Sequence, residues 1–117
     1  MPPRSQLEIQ TSSVIRLAKE AESYHRELLE QEARIEKLKT SPSDDENHEY
    51  LLKQEAGALE ETKKVLPTLK KKIIDTVAVL QTLIEEEGQK GAESNVAHIT
   101  AAKEAIAQSK VAEREVS

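Results

Sequence analysis

Cysteine is absent from the 117-residue chain. Without it there is no disulfide, no thiolate metal site and no cysteine nucleophile, and the composition fits a reducing compartment. Phe and Trp are absent too, and aromatic residues make up only 2%. Leu, Ile, Val and Ala must therefore supply almost all of the core. Three Gly and four Pro leave little turn material, so few connections are possible. No alternation rich in β-branched and aromatic residues marks a strand. The longest uninterrupted apolar run, residues 77–80, is far short of a membrane span. The opening Met1-Pro2-Pro3-Arg4-Ser5 has no apolar h-region and reads as no signal peptide. A net charge of −5 and two Tyr argue against general nucleic-acid binding. What remains is one soluble, cytosolic, all-α domain of a few long helices spanning 1–117.

What the chain does have is heptads. Leu52, Leu59, Leu66, Ile73 and Leu80 recur every seven residues, with Leu69 and Leu83 at the intervening three-four step. This is the period of a long helix packed against other helices. Pro67 interrupts it. A proline inside a helix removes one N–H and crowds the carbonyl four residues back, here Lys63, so the spacing predicts a helix that bends at Pro67 rather than stops. An earlier segment carries the same period in two sets: Leu7, Val14, Ala21, Leu28 and Ile35, and Gln10, Leu17, Tyr24, Gln31 and Leu38. Its start is open, since Thr11, Ser12 and Ser13 offer a later cap. Between the two segments lies a polar, acidic stretch, Thr40-Ser41-Pro42-Ser43-Asp44-Asp45-Glu46-Asn47-His48, in which Ser43 and Glu46 read as a capping box. Gly88 and Gly91 mark the next turn. A third, Ala-rich segment shows Val96, Ile99, Ala102 and Ile106 on one thin apolar face and needs the other two as its template.

The pattern predicts an elongated, antiparallel, coiled-coil-like three-helix bundle with helices at about 7–39, 46–87 and 92–114. Folding the first helix back on the second about Asp45 sets Leu38 against Leu52, Tyr24 against Leu66, Ala21 against Leu69, Leu17 against Ile73 and Leu7 against Leu83. Gln31 then faces Leu59, and Ile35 faces Glu55, the worst match in the register. Folding the third helix back at Gly88 sets Val96 near Ile84, Ile99 near Leu80 and Ile106 near Ile73. The second helix has a broad apolar stripe between Val65 and Ile84 that includes Ile74, Val77 and Val79, as a helix with two neighbours requires. Pro67 falls near the boundary between a three-helix half and a two-helix half.

No catalytic constellation emerges. His25, His48 and His98 lie in three separate segments. Glu22 and His25 have the Glu-x-x-His spacing of a di-iron bundle, but that site needs a second such pair and two further glutamates. In a Glu-rich chain the spacing is a coincidence. There is no phosphate-cradling Gly loop, no serine-nucleophile motif and no HExxH. No cofactor is called for, and the chain reads as a binding protein rather than an enzyme. Lys63, Lys64, Lys70, Lys71 and Lys72 flank the proline. They read either as a solvated face that complements Glu60 and Glu61 or as a docking patch for an acidic protein. The rival classes are a generic coiled-coil adaptor, a prefoldin-like subunit and a metal-carboxylate bundle enzyme. A prefoldin needs strands between its helices, and residues 40–48 are too polar for that.

Taken as an ordered set, several segments resemble a known family. Arg16-Leu17-x-Lys19-Glu20, Tyr24, Glu27, Gln31-Glu32 and Ile35-x-Lys37-Leu38 resemble the first helix of tubulin-binding cofactor A. Lys53-Gln54-Glu55, Leu59, Glu61-Thr62 and Leu66-Pro67 resemble its second helix, mid-helix proline included. The resemblance covers residues 7–84; the third segment shares only length and Ala/Ile character. It implies a cytoplasmic, cytoskeleton-associated three-helix chaperone, monomer or homodimer, that uses no nucleotide. Such a chaperone captures β-tubulin after chaperonin release and passes it, with other tubulin-folding cofactors, toward the αβ heterodimer. It also points to Arg16, Lys19, Glu27, Lys53 and Glu61 as partner-binding residues. The charge pattern adds Lys63, Lys64, Lys70 and Lys71, because tubulin is acidic. No nucleic acid or membrane is implied.

Overall fold

The computed structural model describes residues 3–41 and 46–115. The Ser43–Glu46 capping box and most of the acidic connection lie outside the described residues. The chain forms three α-helices, α1 (Gln6–Thr40), α2 (Glu46–Gly88) and α3 (Val96–Glu115), with a short 3-10 turn at Gly91–Glu93. No strand occurs among the described residues. The molecule is a rod of 72 × 26 × 20 Å.

The ends of the helices follow from local chemistry. Ser5 accepts the Glu8 N–H at 3.2 Å, and the Glu8 carboxylate accepts the Ser5 N–H at 3.2 Å. This reciprocal box starts α1 at Gln6, ahead of the alternative caps at Thr11–Ser13. At the other turn Gly91 takes a positive φ of 64°, which a side chain would strain. Glu87 holds this turn together. Its carboxylate accepts the Asn95 N–H at 3.0 Å and pairs with Lys90 at 3.1 Å. Asn95 Oδ1 then accepts the His98 N–H at 3.1 Å and caps α3. The 3-10 turn and this cap delay α3 to Val96, four residues past Ala92.

The core lies in one half of the rod. Leu7, Val14, Leu80, Ala102, Ala105 and Ile106 form one buried cluster, with Ile15, Val77, Leu83, Ile84 and Ile99 packed against it. Leu17, Ala18, Ala21, Leu69, Ile73 and Ala112 form the second, joined by Tyr24, Val65 and Val77. The first cluster holds both Leu7 and Leu83; the second holds Leu17 with Ile73 and Ala21 with Leu69, as the antiparallel register of α1 and α2 requires. Beyond Glu115, the last described residue of α3, α1 and α2 have only each other among the described residues. There the described buried residues are few: Gln31, Ile35 and Thr62, with Leu66 at the boundary.

The third helix departs from the expected register. Ile106 sits with Leu80 and beside Gln81 and Ile84, not at Ile73; Ala112 takes the place at Ile73. Val96 belongs to neither cluster and is 68% exposed. The slide is about one heptad, and the longer turn accounts for it. α3 also packs mainly on α1 rather than on α2. Its inner stripe, Ala102, Ala105, Ser109 and Ala112, is small throughout; Ala102 and Ala105 pack with Leu7 and Val14 of α1, and Ala112 with Ala18 and Ala21. Small facing residues let two helices approach closely, so α3 settles toward α1 and only touches α2. The broad stripe on α2 is therefore not fully used. Val77 is partly buried, whereas Ile74 and Val79 remain 49% and 50% exposed. Pro67 lies within α2, which is one continuous helix through that residue.

Candidate partner-binding surface

The outward faces of α1 and α2 carry the charge. On α2, Gln81 and Ile84 line the groove that faces α3, together with Lys103 and Ile106. Counting back in sevens from Ile84 gives Val77, Lys70, Lys63 and Ala56; from Gln81 it gives Ile74, Pro67, Glu60 and Lys53. These two rows mark the α3-side flank of α2. Lys64 and Lys71 occupy the adjoining outward row. Lys63, Lys64, Lys70 and Lys71 therefore form one basic cluster around Pro67, and Lys53 lies on the same flank about 15 Å from Lys63. Lys63 is paired within the helix to Glu60 at 3.7 Å, with half of its side chain still exposed. Lys53, Lys64 and Lys71 are exposed, and Lys70 is half-buried with an interaction of its own.

The other candidates do not converge on this cluster. Arg16 and Lys19 lie on the back of α1 in the three-helix half, beside a shallow surface depression lined by Ser12, Ile15, Glu20 and Ser23. Arg16 pairs loosely with Glu20 at 4.0 Å. Glu27 shares its heptad row with Ser13 and Glu20, which line the α1–α2 groove on the side away from α3, opposite Lys72 and Thr76. Glu61 is exposed on the outer face of α2.

Buried chemistry is sparse. The main concavities among the described residues are open grooves rather than enclosed cavities. Among the described residues no group of three or more His, Asp and Glu converges to hold a metal ion. His98 Nε2 stands 3.8 Å from the Glu8 carboxylate, linking α3 to α1. The Glu8 carboxyl is held below its ordinary value, first by the Ser5 N–H and also by His98. Glu87 is lowered likewise, by the Asn95 N–H and then by Lys90. Both shifts belong to the caps that end helices. His25 Nδ1 and Gln31 Oε1 are buried without a hydrogen-bond partner.

One exposed apolar residue of this surface was not apparent from the heptads. Leu29 is 52% exposed, next to Leu28 of the seam. The signal for it lies in the row Glu8, Ile15, Glu22, Leu29 and Glu36, where Ile15 packs against the core and Leu29 does not.

The described residues thus form an elongated all-α, three-helix rod with open grooves and charged outward faces. No helix among the described residues is long and apolar enough to cross a membrane. The family described as tubulin binding cofactor A matches residues 2–106. Tubulin-specific chaperone A of Gallus gallus is 36% identical over 86 residues, 74% of this chain and 76% of that protein. The protein of the same name from Saccharomyces cerevisiae is 44% identical over 69 residues, 59% of this chain and 62% of its own length. That of Homo sapiens is 34% identical over 86 residues, again 74% and 76%. No solved structure matches the chain. The chain belongs to the tubulin binding cofactor A family.

Proposed function

We propose that this protein is a tubulin-folding chaperone. It captures β-tubulin released from the cytosolic chaperonin, stabilises it, and passes it with other tubulin-folding cofactors toward the αβ heterodimer. It works in the cytoplasm, without a cofactor and without catalysis. The observation that carries this reading is the family match over residues 2–106, joined by relatives whose names specify tubulin. The surface adds a physical reason. A chain of net charge −5 nevertheless gathers four lysines in one cluster on α2, with Lys53 on the same flank. Such a cluster steers an acidic partner even against the overall charge.

In this reading Lys63, Lys64, Lys70 and Lys71, with Lys53 on the same flank, form the main docking surface. Arg16, Lys19, Glu27 and Glu61 make outlying contacts that a large partner reaches by wrapping the rod. The test is a double reversal, Lys64→Glu with Lys71→Glu. Both residues are exposed, so the thermal melt stays nearly unchanged. At the interface the reversal sets like charges together, lowering the association rate and its sensitivity to salt. Capture of β-tubulin is measured at two salt concentrations for both proteins. Equal capture at low salt makes the cluster a solvated face and removes it from the site.

A further inference from the structure

Among the described residues, nothing in the two-helix half occupies the position that α3 takes in the other half. On α1, Glu8 and Thr11 line the groove that α3 fills with His98 and Ala101. Counting on in sevens from Thr11 gives Ala18, His25 and Glu32; from Glu8 it gives Ile15, Glu22, Leu29 and Glu36. Under α3, Thr11 and Ala18 are buried and Ile15 packs on the core. Beyond α3, Leu29 is half exposed and Glu32 and Glu36 are exposed. The facing flank of α2 carries Lys53, Ala56, Glu60 and Lys63. The Arg34–Glu55 contact at 3.2 Å fixes the level, so Glu36 stands beside Lys53 and Leu29 beside Glu60. Equivalent heptad positions are thus covered in one half and bare in the other.

We propose that this bare track accepts one amphipathic helix of the tubulin partner, which takes the third position in the bundle. The proposal rests on the tubulin reading above and says where the contact is made. From Glu22 to Glu36 the track is about 20 Å long, enough for about four helical turns. Its walls differ in charge. The α1 wall offers Glu22, Glu32 and Glu36; the α2 wall offers Lys53 and Lys63 around a lone Glu60. The occupant therefore carries basic residues on its α1 edge, acidic residues on its α2 edge, and apolar residues between them over Leu29 and Ala56. A second copy of α3 does not meet this description. The α3 edge that faces α2 carries Lys103 and Lys110, which on the track would stand against Lys53 and Lys63. Like charges held together across an interface oppose binding.

The experiment uses the full chain and purified tubulin, with capture measured by titration and folding by thermal melt. Leu29→Arg blocks the apolar centre and is expected to weaken capture about tenfold or more, as loss of a central anchor does, with the melt retained. Glu36→Lys, on an exposed residue, weakens capture in a salt-dependent way and serves if the first variant melts early. Val79→Arg is the control. Val79 shares its heptad row with Lys72, which lines the groove on the opposite flank, and capture should stay within about twofold of the wild type. Capture that survives both Leu29→Arg and Glu36→Lys overturns the track while leaving the tubulin reading intact. Equal losses from Val79→Arg overturn it as well. A wild-type chain that captures no tubulin overturns the function and the track together. A dimer of the chain alone that Leu29→Arg dissociates assigns the track to a second copy and overturns the proposal.

Discussion

Arg34 of α1 donates its Nε–H to the Glu55 carboxylate of α2 across 3.2 Å. The contact relieves the poorest pairing in the α1–α2 register. Glu55 sits at a seam position opposite Ile35, yet Ile35 is buried. The Glu55 carboxylate reaches the Arg34 guanidinium instead of facing the isoleucine, as a long side chain with a charged tip can do at the edge of a seam. The pair also connects two helices in the half of the rod that has the fewest buried residues.

A double-mutant cycle on Arg34→Ala and Glu55→Ala checks this contact. The Arg34 side chain is about half exposed. The coupling should therefore be about 0.2–1 kcal/mol in urea melts, and smaller at high salt. A coupling of zero at low salt would mean that the two side chains do not act together.

Leu69→Ala tests the three-helix half. Leu69 is buried among Leu17, Ala18, Ala21, Ile73 and Ala112, between α1 and α3. Truncation should cost about 2–5 kcal/mol of stability. Ile74→Ala, on a residue half in solvent, should cost less than about 1 kcal/mol. The contrast separates this packing, in which α3 lies toward α1, from one in which α3 is centred on the broad stripe of α2.

Pro67→Ala addresses the residue within α2. Alanine restores the N–H and removes the ring's crowding of the Lys63 carbonyl. Circular dichroism should show helicity that holds or rises, with a higher melting temperature. A bend of α2 at Pro67 is a sequence-based expectation. If such a curve fits the partner, tubulin capture weakens in the same variant. Unchanged capture assigns the proline a purely structural part.

The caps give the chain an acid-sensitive end. In the folded state Glu8 and Glu87 are lowered from their ordinary value of 4.5. A carboxyl lowered on folding contributes stability that is fully present above 4.5 and is lost as pH falls through its folded value. Melting temperature should therefore decline on the acid side of 4.5. Glu87→Gln should flatten that decline. NMR titration of the Glu87 carboxyl checks the direction of the shift itself.

Much of the α1–α2 pair was legible because large apolar residues at strict heptad spacing have one way to face each other. Leu17 with Ile73 and Leu69 between α1 and α3 followed from that spacing. The position of α3 did not follow, since the reading relied on Ile99 and Ile106. Ala102, Ala105, Ser109 and Ala112 direct the packing instead, through the close approach that small side chains allow. Their 3-4-3 spacing was visible but carries little hydrophobic weight. Ser5-Gln6-Leu7-Glu8 has the spacing of a capping box, which the weight given to Thr11, Ser12 and Ser13 as a later cap passed over; the folded chain starts α1 at Gln6. The lysines around Pro67 were readable as a group from their spacing. A two-helix half beyond Pro67 was legible too; that Leu29 stands exposed in it is seen only in the folded chain.

The measurement that bears most directly on the proposed function follows labelled β-tubulin as it leaves the cytosolic chaperonin in the presence of the purified protein. Native gel electrophoresis separates free tubulin from complexes. A discrete small complex containing β-tubulin and this chain, with none formed by α-tubulin in the parallel reaction, is the predicted result. Migration of β-tubulin unaltered by the chain, or equal capture of α-tubulin, would contradict the account.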